Sequence, residues 1–188
     1  MEAAKIATVR KRIYLETTII SVLTARPSTN IHSESRRQLT LAWWDNDRTD
    51  FDLFASPLVL AEAEAGDYSA ANRRLEILKA VPLLEINDKA TRLAQLLIEQ
   101  KAIPEIAQED ALHIALAAVY DLDFLLTWNC RHIDNAVRKP LMRQVCQSQG
   151  LRCAEICTPE ELMGGLASFA ESVQGFSVQS SGWTTIHS

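Results

Sequence analysis

Residues 109–128, "EDALHIALAAVYDLDFLLTW", constrain the fold more than any other stretch of the chain. Positions 109–120 are apolar nearly all round a helix, and 123–128 form an apolar run of strand length. A helix without a polar face must be buried on most sides. A strand apolar on both sides belongs in a sheet that is covered on both faces. The rest of the chain repeats this alternation. "RIYLE" (12–16), "FDLFAS" (51–56), "PLLEI" (82–86) and "LRCAEI" (151–156) read as further strands. Helical stretches separate them: "TIISVLTA", then "ESRRQLTLAWWDND" with Leu39, Trp43 and Trp44 on one stripe, then a helix entered at Ser56-Pro57 and stopped at Gly66. Two more follow at 69–80 and 89–102, the latter with Leu93, Leu96 and Leu97 on one face, and Thr158-Pro159-Glu160-Glu161 is a capping box for a short last helix. Strands spaced by helices predict an α/β fold, a five-stranded parallel sheet flanked by helices in three layers.

With 188 residues, this pattern fits one domain over 1–163, followed by a C-terminal tail over 164–188. The tail is rich in Ser and Gly and lacks charged residues after Glu171, so it reads as a mobile or partner-contacting segment carrying Phe176 and Trp183. A net charge of -5 argues against wholesale charge-driven binding to nucleic acid, and leaves room for a local basic strip beside an acidic site. No apolar run reaches the length of a membrane span, and no apolar segment follows the basic N-terminal residues as in a secretory signal. The expectation is a cytoplasmic chain with reduced thiols. Its four cysteines, Cys130, Cys146, Cys153 and Cys157, lack the CxxC spacing of a zinc site.

Polar residues then fall at one edge of the expected sheet. Glu16 ends the first strand, Glu62 lies in the second turn of the helix after the second, and Asn129 follows the strand at 123–128. Ligands of parallel sheets gather beyond the carboxyl ends of the strands. Asp110 joins this edge only if the chain reverses between residues 102 and 109, where "AIPEIAQ" stands. Three carboxylates and an amide brought together would repel unless a hard divalent cation sat among them, and Mg²⁺ or Mn²⁺ suits such oxygen ligands. A cation there activates a water and stabilises charge on a phosphoryl oxygen. Each residue also has a plainer explanation. Glu62 is a solvated helix position like Glu64, Asp110 complements the helix dipole, or Glu16 pairs with Arg131.

Taken together, "IYLETTIISVL", "SPLVLAEAEAG", "EDALHIALAAVYDLDFLLTWNCRHI" and "CTPEELM" resemble a PIN domain of the kind found in VapC-type toxins of toxin–antitoxin pairs, in the expected order over residues 12–163. The resemblance implies a five-stranded parallel α/β fold and an Mg²⁺- or Mn²⁺-dependent ribonuclease that leaves 5′-phosphate and 3′-hydroxyl ends. It also implies a homodimer silenced by a small antitoxin protein. By the same resemblance Glu16, Glu62 and Asp110 are the metal ligands. Asn129 stands where many members have a fourth Asp, and Thr127 matches a hydroxyl two positions earlier. Glu16 replaces the usual first Asp. Those two departures carry the rival expectation, a PIN-like module that binds RNA or a protein without cutting. Asp134 is near enough in sequence to substitute for the missing acid. An unrelated flavodoxin-like or phosphatase-like domain fits less well, since no Gly-rich phosphate loop or DxD follows the first strand.

Other residues have two readings. His113, one turn after Asp110, is a core histidine or a site residue. Arg131 and His132 form a surface pair or contact a phosphate. Trp43 and Trp44 pack in the core or a dimer interface, or stack on RNA bases. The clusters Arg10-Lys11-Arg12, Arg36-Arg37, Arg73-Arg74 and Arg138-Lys139 are solvated faces or guides for a phosphate backbone.

Overall fold

The computed structural model describes residues 9–163; the expected tail over 164–188 lies outside them. The chain folds as β1 (Lys11–Leu15), α1 (Thr17–Leu23), α2 (Ile31–Asn46), β2 (Phe51–Phe54), α3 (Pro57–Glu64), α4 (Tyr68–Leu78), α5 (Asp88–Glu99), α6 (Gln108–Val119), β3 (Phe124–Leu126), α7 (Lys139–Ser148), β4 (Glu155–Cys157) and α8 (Pro159–Leu162). The sheet is parallel throughout, in the order β2-β1-β3-β4. Ile13 pairs with Leu53 on one side and Phe124 on the other, and Leu126 pairs with both Leu15 and Cys157. Successive strand residues point to opposite faces, so the complete burial of Ile13, Tyr14 and Leu15 means that helices cover both sides of the central strand.

Four strands are present among the described residues, not five. The segment 82–86 contributes a single parallel bridge, Leu83 to Ala55, through the hydrogen bonds Ala55 N to Pro82 O (3.0 Å) and Leu84 N to Ala55 O (2.9 Å). Pro82 has no N–H to donate to a ladder, and Pro82, Leu83, Glu85 and Ile86 are all exposed, so only Leu84 anchors this edge. A further helix outside the expected elements, α7, fills the gap between 129 and 150; its apolar face buries Met142, Val145 and Cys146, with Leu141 packed beside them. The strand expected at 151–156 begins only at Glu155.

Local signals set the helix boundaries as expected. Ser56 caps α3 ahead of Pro57, Gly66 at φ +90° ends it, and Thr158 with Glu161 forms the capping box of α8. The apolar helix α6 buries Ala111, Ile114, Ala115, Leu116, Ala117 and Ala118. Its start is set by the reversal after α5, where Lys101 takes the left-handed conformation (φ 62°) and Ile103 N reaches back to Leu97 O at 3.1 Å. The chain builds outward from β1 through β2, then crosses to β3 on the other side. The β1/β3 junction is therefore the point where strand order reverses, and Glu16 N donates to Leu126 O across it at 3.1 Å.

Candidate functional site

Two networks of polar side chains meet at this junction. The first is centred on Glu16, which is 4% exposed. Glu16 is the N-cap of α1: its Oε1 accepts from Thr18 N at 3.1 Å, and its Oε2 accepts from the hydroxyls of Thr18 and Thr127, the latter at 2.7 Å. Thr127 Oγ1 also accepts from Asn129 N at 2.9 Å. Asn129 Nδ2 in turn donates to Asp110 Oδ1 at 2.9 Å, and the other Asp110 oxygen lies 2.7 Å from His132 Nδ1. Glu16, Thr127, Asn129 and Asp110 thus form one continuous chain of hydrogen bonds. The reversal between α5 and α6 places Asp110 within reach of the residue that follows β3.

The second network is centred on Glu62. One oxygen, Oε2, accepts from the Thr17 hydroxyl and lies 3.1 Å from His113 Nε2. His113 is wholly buried, and its Nδ1 is 2.9 Å from Tyr14 Oη, which is itself 2.7 Å from Ser56 Oγ. Burial pushes the Glu62 carboxyl up, but the hydrogen bond and charge of His113 and the Thr17 hydroxyl outweigh it and hold the group below its usual value. Burial raises the Tyr14 phenol well above the ordinary range, so it stays protonated and serves as donor and acceptor. Donor atoms of Glu16, Glu62 and His113 all lie within 4.8 Å of one another.

None of the acids Glu16, Glu62 and Asp110 has an arginine or lysine partner among the described residues. Glu16, read in one alternative as a partner of Arg131, is held by hydroxyls instead. Two or three carboxylates compensated only by hydroxyls, an amide and imidazoles are a donor set that a divalent cation fits. Asp134 does not fit that role: Lys139 Nζ holds it at 2.7 Å. Glu64 is exposed, whereas Glu62 turns inward.

The supporting groups leave little mark in the sequence. Tyr14 and Ser56 read as a strand residue and a helix cap, and nothing in their spacing announces that the Tyr14 hydroxyl links Ser56 to the histidine. The repeat of hydroxyls in "ETT" is the visible sign of Thr17 and Thr18. Trp43 is fully buried against Phe51 and Trp44, which removes it from any RNA-stacking role. The basic clusters are largely used within the fold. Arg12 and Arg74 bind backbone carbonyls, Lys11 pairs with Asp123, Arg37 with Glu34, and Arg36 lies over the Trp128 ring. The cysteines are free and join no candidate metal group among the described residues. No helix of the described residues is long and apolar enough to cross a membrane.

No family model matches the chain, and no curated protein matches it. Among solved structures it is similar to the crystal structure of VapBC2 from Rickettsia felis bound to a DNA fragment from their promoter, with 18% sequence identity, coverage of 78% of this chain and 98% of that chain, and a TM-score of 0.47.

Proposed function

We propose that the chain is a divalent-metal-dependent endoribonuclease and the toxin of a toxin–antitoxin pair. The observation that supports it is the grouping of Glu16, Glu62 and His113 at the β1/β3 junction, with Asp110 linked to the same edge through Asn129, and with no arginine or lysine ion pair to any of the three acids among the described residues. In this reading Glu16, Glu62 and Asp110 hold Mg²⁺ or Mn²⁺. When bound, the cation makes water nucleophilic near neutral pH and stabilises charge on a phosphoryl oxygen.

The chain's own residues do the rest. Thr127 and Thr18 aim the Glu16 carboxylate by donating to its Oε2, and Thr17 does the same for Glu62. Asn129 orients Asp110 through its amide and takes no part as an acid. Arg131, exposed two residues further on, offers a positive charge to an RNA phosphate. The silencing partner is a small antitoxin protein, and the working form is a homodimer.

The test is cleavage of RNA by the purified full chain. Cleavage should require Mg²⁺ or Mn²⁺, stop with a chelator, leave 5′-phosphates, and be abolished in Asp110→Asn. Cleavage that survives chelation or the D110N change would overturn the proposal. Saturable metal binding without any cleavage would favour the rival, a module that binds RNA or protein without cutting.

A further inference from the structure

We propose that His113 is a nitrogen ligand, through Nε2, of the cation held by Glu16 and Glu62, and that it biases the site toward Mn²⁺ over Mg²⁺. The inference rests on the metal reading above and adds a ligand of a different chemical kind. Its first support is placement. His113 Nε2 and Glu62 Oε2 are 3.1 Å apart, and Glu16 completes a three-donor group within 4.8 Å. Two ligand atoms each about 2.1 Å from one cation and at right angles stand about 3.0 Å apart. A cation can therefore take the place of the shared proton with little movement of either side chain.

The second support is the far side of the ring. Metal-bound histidines typically donate their other N–H to a fixed oxygen, which sets the tautomer and the ring orientation. Here Nδ1 faces Tyr14 Oη at 2.9 Å, and that hydroxyl reaches Ser56 Oγ at 2.7 Å, all in the buried core. With Nδ1 protonated, the phenol oxygen accepts from it and donates its own hydrogen to Ser56, leaving the Nε2 lone pair for the cation. In the metal-free tautomer Nε2 donates to Glu62 and Nδ1 accepts from Tyr14. Both states carry the same number of protons on the same heavy atoms. The change of tautomer itself moves only protons.

The third support is ligand chemistry. Carboxylates alone suit Mg²⁺ and Mn²⁺ about equally, whereas an imidazole nitrogen favours the transition metal. His113 sits on α6 one turn after Asp110, so one rigid helix presents both the nitrogen and the third carboxylate to this edge.

The test is electron-spin-echo spectroscopy of Mn²⁺ added to the purified full chain. The expected result is ¹⁴N modulation from a directly bound imidazole in the wild type and in His132→Gln, and its loss in His113→Gln. Mn²⁺ affinity should fall in H113Q by roughly tenfold or more, since even an outer partner of a metal ligand contributes on that order, and Mg²⁺ affinity should fall less. Bound Mn²⁺ without nitrogen modulation in the wild type would overturn the inference while leaving the ribonuclease proposal standing. Modulation that survives H113Q but disappears in H132Q would also overturn it. Absence of saturable Mn²⁺ binding would sink both. If H113Q fails to fold, the wild-type and H132Q spectra together decide the matter.

Discussion

Thr127→Val replaces a buried hydroxyl by a methyl group of nearly the same shape, and so isolates what that hydroxyl does. Thr127 is fully buried and donates to Glu16 Oε2 at 2.7 Å while accepting from Asn129 N at 2.9 Å. A hydrogen bond to an ionised acceptor contributes about 1.5–3 kcal/mol, and the Asn129 N–H left without its partner adds about 1 kcal/mol more. Glu16 keeps its bonds from Thr18, so the carboxylate does not become an orphan and the loss stays near about 3 kcal/mol. For a chain of this size each kcal/mol moves Tm by about 2–4 °C, giving a drop of about 6–12 °C. Thr127→Ser retains the hydroxyl and should recover most of that drop. The assay is thermal unfolding by circular dichroism of both variants in chelator, followed by Mn²⁺ titration. T127V should also bind Mn²⁺ more weakly, because the Glu16 carboxylate loses the hydroxyl that ties its Oε2 to the segment after β3. A T127V melting within 1 or 2 °C of wild type, or a T127S as unstable as T127V, would refute the claim that this hydroxyl supports Glu16.

Other outcomes follow from separate parts of the molecule. Burial raises the Asp123 carboxyl, but Lys11 Nζ (2.8 Å), the Arg12 N–H (2.9 Å) and the neighbouring charges outweigh it and hold the group below its usual value. Its ionised form stabilises the fold above the ordinary Asp value of about 3.9, and that contribution is lost as pH falls through the lower folded value. Asp123→Asn should therefore cost about 1 kcal/mol at pH 7, with the gap from wild type closing below about pH 4 in urea titrations. A gap constant across that range would exclude the ionised pairing. Burial pushes the Cys157 thiol up to about 12, while Cys130 is exposed. A disulfide reagent at pH 8 should label Cys130 within minutes and reach Cys157 only on unfolding, as peptide mapping would read. Asp134→Asn should leave Mn²⁺ affinity within about twofold, because Lys139 already neutralises that acid; a tenfold loss by calorimetry would return Asp134 to the metal site.

The alternation of apolar strands and helices was legible without coordinates because burial on both faces leaves a direct mark on composition. "RIYLE" and "DFLLTW" could be read as inner strands, and Ser56, Gly66 and Thr158-Glu161 as boundaries, since each depends on local chemistry alone. The edge was harder to read. "PLLEI" carries the same apolar density as a strand, yet its leading proline and its exposed position reduce it to one bridge. Helix α7 carries a readable stripe, Leu141, Met142, Val145 and Cys146, behind a leading Lys139-Pro140 that starts it.

The same division runs through the site. Chain order alone placed Glu16, Glu62 and Asn129 at the carboxyl edge of a parallel sheet, because each follows a strand or begins the connection after one. Whether Asp110 joined them depended on the turn after α5. Pairing Glu62 with His113, His113 with Tyr14, and Tyr14 with Ser56 depended on three elements far apart in the chain packing at atomic distance. Periodicity records which face of an element is apolar. It does not record which buried polar atoms point at one another, and that was settled only when the helices closed over β1.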